Sequence, residues 1–172
     1  MATDRIYSFN WADNSEFPTA LRPVPIQLRH LVGLLDGDER WSFGLWKVPE
    51  GMRFLALDLD RYPEEFLQAA GSADAMVIEL RRREADGDLH QYAVGRGEDE
   101  PGESVVTWAS NDPARPHRLT VPSAEVFGAD EAAEVYWHYY QQVGTVPEFY
   151  RLRPVTGCPS ETGSASGRSS AW

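Results

Sequence analysis

Residues 75–96, AMVIELRRREADGDLHQYAVGR, carry the strongest hairpin signal in the chain. Two runs with apolar residues, 75–83 and 89–96, flank a short polar connection. That connection contains Asp86-Gly87, and Asp-Gly is a dipeptide favoured in tight β-turns. The stretch therefore predicts two antiparallel strands joined by a short turn, and a sheet that is mainly antiparallel.

Patterns on both sides of this hairpin predict the remaining elements. Alternation and turn-bounded apolar runs predict strands over 5–11, 41–48, 52–59, 105–109, 118–121 and 148–155. Apolar residues at helical spacing predict helices over 26–35, 63–70 and 129–143. Because these elements do not alternate regularly as strand–helix–strand, we expect an α+β fold, a mainly antiparallel twisted sheet with two to three helices packed on it.

The last seventeen residues differ in composition from the rest of the chain. Residues 156–172 read TGCPSETGSASGRSSAW, with five serines and three glycines. Such a segment cannot bury enough apolar surface to offset the entropy lost on ordering. We therefore expect one domain over 1–155 followed by a disordered tail. The single cysteine, Cys158, lies in this tail, so neither an intramolecular disulfide nor a cysteine metal cage is expected.

Acidic residues outnumber basic ones by 27 to 16, which gives a formal net charge of −11. A strongly negative surface repels nucleic acid phosphates and attracts cationic partners. We therefore expect a basic protein partner and no direct binding of DNA or RNA. No window approaches the roughly 18 apolar residues of a membrane span, and residues 1–17 carry no apolar signal region. These patterns predict a cytoplasmic protein that does not enter a membrane.

Residues 126–144, VFGADEAAEVYWHYYQQVG, predict an aromatic helix. Helical spacing places Ala132, Val135, Tyr136, Tyr139 and Val143 on one buried stripe. Trp137 and Tyr140 fall outside this stripe. Two explanations stay open: this second pair packs beneath another part of the domain, or it anchors a protein partner, a role in which Trp and Tyr are favoured.

Carboxylates concentrate in two connections of the predicted sheet. Asp86 and Asp88 lie at the hairpin tip, whereas Glu98, Asp99 and Glu100 follow its second strand. If the two strands pair as predicted, these groups lie at opposite ends of the sheet. They are either ordinary polar loops or two negative lobes that steer a basic partner towards the protein.

Four arginines on predicted strands suggest a different kind of site. Arg81 and Arg83 share one strand face, and Arg151 and Arg153 share a face of the last strand. Arginine forks suit carboxylates and phosphates, so these side chains are candidates for an anionic-ligand pocket. The commoner arrangement is pairing with nearby carboxylates, such as Glu79 or Glu148.

Motifs for catalysis or cofactor binding are missing from the sequence. It contains no Gly-x-Ser-x-Gly, no His-x-x-x-His, no P-loop and no Gly-rich dinucleotide turn. The four histidines are scattered singly along the chain. We therefore predict a protein that is not an enzyme and that uses no cofactor and no metal.

The order of elements between residues 74 and 155 is similar to that of a known family. A hairpin containing Asp-Gly leads through two strands, VVTWAS and RLTV, to the aromatic helix. The segment Gly144-Thr-Val-Pro147 then precedes the final strand, EFYRLRPV. In this order and in the Gly-x-x-Pro step, the C-terminal half resembles the Imm1-type immunity proteins of bacterial polymorphic toxin systems. The resemblance implies a non-enzymatic inhibitor that binds a toxin domain and occludes its active site.

The charge and the resemblance together favour a bacterial immunity or inhibitor protein that occludes a basic effector domain. Two alternatives stay open. One is a small anionic-ligand-binding protein or an enzyme that uses the arginine-lined strand faces. The other is a structural component of a bacterial secretion or regulatory assembly.

Overall fold

The computed structural model describes residues 4–20, 22–97, 100–110, 112 and 114–155. The helices are α1 (Val24–Val32) and α2 (Ala129–Gln141), and short 3₁₀ turns occur at Phe54–Ala56 and Ser123–Glu125. The strands are β1 (Arg5–Phe9), β2 (Asp13–Glu16), β3 (Ser42–Lys47), β4 (Phe66–Gly71), β5 (Met76–Arg83), β6 (Leu89–Arg96), β7 (Glu103–Trp108), β8 (His117–Pro122) and β9 (Tyr150–Pro154).

Seven strands form one antiparallel sheet in the order β2-β1-β3-β4-β5-β6-β9, and β7 pairs with β8 as a separate antiparallel hairpin. The predicted hairpin is present as β5 and β6, with Arg83 opposite Leu89. Gly87 in its turn has a φ of +90°, which side chains disfavour, so the Asp-Gly dipeptide marks a position that needs glycine. The predicted α+β class and antiparallel sheet are confirmed.

One face of the sheet, the helical face, is covered by α1 and α2. Alternate strand residues point to this side and form the main core with the two helices. This core contains Phe43, Leu45, Leu67, Ile78, Leu80 and Val94 from the sheet and Leu28, Val32, Val135, Tyr136 and Tyr139 from the helices. Each large side chain buried in this way stabilises the folded state by about 1.5–3 kcal/mol.

The opposite face, the hairpin face, is covered at two places. The β7–β8 hairpin packs Val106, Trp108 and Val121 against Ala70 and Val77. A second apolar cluster unites sheet residues with the segment around the first 3₁₀ turn, and it contains Ile6, Trp46, Val48, Phe66, Phe54, Leu57 and Leu59. Because both faces are covered, β4 is buried at every position, and so are the first five residues of β3 and of β5.

The aromatic helix is present as α2, and its predicted buried stripe is confirmed at Ala132, Val135, Tyr136 and Tyr139. Tyr136 Oη donates a 2.7 Å hydrogen bond to the Phe43 carbonyl and so joins α2 directly to β3. Val143, the last member of the predicted stripe, is partly buried and lies beyond the end of the helix.

The strand predicted over 52–59 is wrong. This segment carries the first 3₁₀ turn and crosses the hairpin face, where Phe54, Leu57 and Leu59 pack on the sheet. Both edges of β3 are already taken by β1 and β4, so Phe54, Leu57 and Leu59 are partly buried by lying on a sheet face rather than by pairing with an edge.

The helix predicted over 63–70 is also wrong, because Phe66–Gly71 is strand β4 between β3 and β5. A short apolar run satisfies helical and extended patterns equally well, and burial on both sides of the sheet selects the strand. The sequence also gave no sign of β2, which pairs with β1 through a turn in which Asn10 and Trp11 adopt positive φ.

Two further expectations concern the chain as a whole. No helix of the described ranges is both long enough and apolar enough to cross a bilayer. The tail predicted over 156–172, with Cys158, lies outside the described residues.

Two tyrosines of α2 provide a matched test of how the helix is joined to the sheet. Tyr136 and Tyr139 are both fully buried, but only Tyr136 Oη has a hydrogen-bond partner among the described residues. We expect Tyr136→Phe to lower the free energy of unfolding by about 1–3 kcal/mol, because it leaves a buried carbonyl with one acceptor site unused. Tyr139→Phe should be neutral or stabilising. Urea denaturation measures the free energy of unfolding of both variants. Equal changes would contradict a stabilising role for the hydrogen bond from Tyr136 to the Phe43 carbonyl.

Candidate functional site

The hairpin tip holds the first group of predicted acidic residues. Asp86 Oδ1 accepts a 2.9 Å hydrogen bond from the Asp88 amide, and its Oδ2 lies 3.0 Å from His90 Nε2. These contacts, the backbone hydrogen bond first, hold the pKa of Asp86 below its ordinary value. Asp86 therefore shapes the turn, whereas the Asp88 side chain is exposed to solvent.

The second acidic group lies at the other end of the sheet. The antiparallel register of β5 and β6 places the hairpin tip at one end of β6 and Arg96 at the other. Glu100 follows at this second end and pairs with Arg96 at 3.1 Å. Glu98 and Asp99 lie outside the described residues.

Arg96 organises this second end. Its guanidinium contacts Glu131 of α2 at 2.6 and 3.1 Å, donates to the Val126 carbonyl at 3.0 Å, and lies 5.2 Å from the centroid of the Phe127 ring. The hydrogen bond to Glu131 is the main reason why the pKa of Arg96 is raised. One positive charge thus fixes the start of α2 and the segment before it against the sheet.

An exposed aromatic residue lies beside these carboxylates. Phe149 is 67% exposed, and its ring lies 4.4 Å from that of Tyr150, which is buried. Tyr150 Oη donates to Glu131 at 3.0 Å, and burial, followed by Glu131, raises its pKa. Two further carboxylates are exposed: Glu134 of α2 acts electrostatically on Tyr150, and Glu148 directly precedes Phe149 in the chain. We call Phe149, Glu131, Glu134 and Glu148 the acidic platform.

Sequence reasoning did not identify Phe149 as a site residue. The available signal was the dipeptide Phe149-Tyr150 near the start of the predicted last strand. Phe149 lies in the turn before β9 and is exposed, whereas Tyr150 is the first residue of β9 and is buried.

Trp137 and Tyr140 lie nearer the other end of α2. Their rings stack at 5.7 Å, and both side chains are partly buried against the main core. The Tyr140 ring lies 5.4 Å from Phe17, and Arg5 lies over it and donates to its carbonyl at 2.9 and 3.1 Å. Packing within the domain therefore accounts for much of this pair's surface, and the platform does not include it.

The structure separates the predicted arginines. Arg83, at the exposed tip, donates to Glu64 at 2.9 Å and to the Gly87 carbonyl at 2.6 Å. Arg153 forms a two-point pair with Glu125 at 2.6 and 2.7 Å, and this contact is the main reason why its pKa is raised. Their partners are therefore Glu64 and Glu125, rather than the expected Glu79 or Glu148.

The other two arginines do not complete an anion pocket with them. The Arg81 guanidinium lies 5.9 Å from the centroid of the Phe66 ring. Arg151 lies opposite Gly95, and with Arg153 it lines a depression of about 220 Å³. Glu100 and Glu125 line the same depression, so its lining carries both positive and negative groups.

A buried carboxyl group occupies the centre of the hairpin face. Glu79 of β5 is 5% exposed, and its Oε2 accepts hydrogen bonds from Gln68 and Gln91. Trp11 Nε1 donates to Gln68 Oε1 at 3.1 Å, and since an indole nitrogen only donates, this contact turns the Gln68 amide nitrogen towards Glu79. Burial, opposed by the two glutamines, raises the pKa of Glu79 to about 7.

Glu79 opens onto a cleft of about 360 Å³ between the sheet and the β7–β8 hairpin. Val77, Ala93, Trp108 and Val121 supply apolar walls, and the Glu125–Arg153 pair also lines it. A usable signal for this residue was a carboxylate within the run Met76-Val-Ile-Glu-Leu80, a pattern typical of a strand buried on both faces. Among the described residues, no group of three or more His, Cys, Asp or Glu side chains is placed to hold a metal ion.

Comparisons with known proteins give no relative: no family model matches the chain, and neither the curated proteins nor the solved structures contain a match. The resemblance of residues 74–155 to the Imm1-type immunity proteins therefore stays a prediction.

The buried carboxyl group should make stability depend on pH in one direction. The pKa of Glu79 rises from 4.5 in the unfolded chain to about 7 in the folded protein. Its contribution to the free energy of unfolding is therefore fully present below pH 4.5 and is lost as pH rises to 7. We expect Glu79→Gln to gain about 3 kcal/mol of unfolding free energy relative to the wild type across this window, at about 1.4 kcal/mol per pKa unit.

Urea denaturation at several pH values between 4.5 and 8 measures this difference. Glu134→Gln, on the exposed side of α2, removes a carboxylate without touching the cleft and should keep the wild-type pH profile. A constant difference between Glu79→Gln and the wild type over the whole range would show that Glu79 titrates alike in both states.

Proposed function

We propose that this chain is a non-enzymatic protein-binding module, an immunity or inhibitor protein that occludes a basic effector domain. The observation that carries the proposal is the exposed Phe149 within a group of carboxylates at one end of an acidic domain. An aromatic anchor with complementary charge around it is the arrangement that protein interfaces favour.

The use of arginine within the fold supports a cationic partner. Several guanidinium groups are engaged in intramolecular pairs, among them Arg83 with Glu64, Arg96 with Glu131 and Arg153 with Glu125. Each such pair is neutral, so the net charge of −11 of the whole chain comes from carboxylates that are not matched by a basic residue. A basic domain would find this surplus at both ends of the sheet.

The two ends of the sheet suit different parts of binding. Exposed charge such as Asp88 acts at long range and raises the association rate, whereas it adds little to the lifetime of a complex. A desolvated aromatic side chain acts mainly on the dissociation rate. Phe149 is a large exposed side chain close to carboxylates, so we propose the acidic platform as the contact surface.

The resemblance to Imm1-type immunity proteins names the class of partner, a toxin domain of a polymorphic toxin system. Toxin domains that act on nucleic acids need basic clefts to hold phosphates, and a strongly acidic inhibitor complements such a cleft. The pairing of Arg83 and Arg153 with carboxylates gives the alternative, an anionic small molecule, less support.

The proposal predicts that a neighbouring gene encodes a toxin-domain protein, and that protein is the probe for the function. Co-expression of the wild-type chain should restore growth to a bacterial host that produces the toxin domain. Phe149→Ala should raise the dissociation rate at least about tenfold, as expected for an interface hot spot. Leu55→Ala is the matched control, because Leu55 is 94% exposed at the opposite end of the sheet and should leave the rate unchanged. If the wild-type chain does not restore growth, the proposed function is wrong. If Phe149→Ala and Leu55→Ala dissociate at equal rates, the acidic platform is not the contact surface.

Charge steering is tested separately with Asp88→Lys, which spares the turn contacts of Asp86. We expect the variant to lower the association rate several-fold at low ionic strength, with little change in the dissociation rate. The effect should fade above about 0.15 M salt, where the Debye length falls to about 8 Å. Stopped-flow association kinetics at several salt concentrations measure this, and a rate that ignores both charge and salt would contradict steering.

A further inference from the structure

We infer that the cleft above Glu79 receives one basic side chain, arginine or lysine, from the protein partner. The cleft itself is a property of this chain. Only the source of the cation rests on the proposed function, and the experiments below separate the two.

The first step concerns the hydrogen bonds of Glu79. Both amide donors, from Gln68 and Gln91, reach the same oxygen, Oε2. No residue within the described ranges donates to Oε1, although the side chain is 5% exposed and lines the cleft. A carboxyl group in this position has lost most of its water and keeps one acceptor atom for a ligand.

The second step concerns charge. Arg153 across the cleft is held by Glu125 at 2.6 and 2.7 Å, so these two groups nearly cancel. Arg118 and His117 of β8 also line the cleft, Arg118 as an exposed residue and His117 stacked on Trp108 at 5.4 Å. Arg81, on the same face of β5 as Glu79, lies over Phe66. Of the two carboxylates that the described residues place in the cleft, Glu125 is paired with Arg153, whereas Glu79 forms no ion pair.

The third step concerns the chemical class of the ligand. A divalent metal ion needs more oxygen ligands than one free carboxylate oxygen supplies. A guanidinium or ammonium group needs one carboxylate, and its aliphatic stem suits walls made by Val77, Ala93 and Trp108. A volume of about 360 Å³ also lies within the usual range of small-ligand sites, about 300–1,000 Å³.

The direct test titrates the full chain with Nα-acetyl-arginine amide and follows the carboxyl carbon of Glu79 by NMR between pH 5 and 9. We expect the pKa of Glu79 to fall by about 1–3 units at saturating probe, because an adjacent cation favours the ionised carboxylate. Nα-acetyl-citrulline amide has nearly the same shape without the charge and should leave the pKa unchanged. An unchanged pKa with both probes would overturn the inference.

Glu79→Gln supplies a variant that removes the charge and keeps the shape. The arginine probe should shift the side-chain amide signals of Gln68 and Gln91 in the wild type and not in this variant. Asp13→Asn, at an exposed position of the edge strand β2, should respond as the wild type does, which separates the cleft from general attraction to an acidic surface. Equal responses in Glu79→Gln and the wild type would also overturn the inference.

The toxin domain then identifies the source of the cation. Glu79→Gln should weaken its binding about tenfold or more, since hydrogen bonds to charged groups contribute about 1.5–3 kcal/mol. If Phe149→Ala weakens binding while Glu79→Gln does not, the proposed function holds and this inference fails. If the arginine probe binds at Glu79 but no toxin domain is bound, the cleft holds and the proposed function fails.

Discussion

Burial of β4 and β5 on both faces leaves the centre of the sheet without contact with bulk solvent, and the rest of the molecule is arranged around that condition. Helices supply one cover, joined to the sheet through the hydrogen bond from Tyr136 to the Phe43 carbonyl. The β7–β8 hairpin and the segment around Phe54 supply the other. Apolar residues meet this condition at most positions, and the buried polar residues Gln68, Glu79 and Gln91 give the hairpin face its polar character.

The parts of the fold that could be predicted were those in which local signals agree with the final packing. Asp86-Gly87 marked the β5–β6 turn, and the aromatic helix showed its stripe because one side alone is buried. Errors arose where the neighbours decided the outcome. Residues 63–70 fit a helical pattern, but the chain from Phe66 to Gly71 lies between β3 and β5 as a strand. Residues 52–59 fit a strand pattern, but both edges of β3 are already occupied. No local pattern records which edge of a sheet is free.

The candidate sites divide in the same manner. Asp88 and Glu100 could be assigned to opposite ends of the sheet because the hairpin register alone fixes that separation. Phe149 and Glu79 could not be selected, since the exposure of one and the burial of the other depend on elements distant in sequence. Arg96 shows why: it joins β6 to Glu131 on α2, a contact across 35 positions that orders the surface around Tyr150.

Trp11, in the turn between β1 and β2, contacts residues in the interior of the sheet. Its indole lies directly on Gly44, where a Cβ atom would come within 2.8 Å of the ring, and it also fixes the Gln68 amide that serves Glu79. A methyl group at position 44 would lift the indole and release that amide to rotate, withdrawing one donor from the carboxylate. Trp11, Gly44, Gln68 and Glu79 are consequently coupled, so a substitution at any one of these positions limits which residues are tolerated at the other three. The pKa of Glu79 can thus be changed by substitutions at the edge of the sheet, without any change to Glu79 itself.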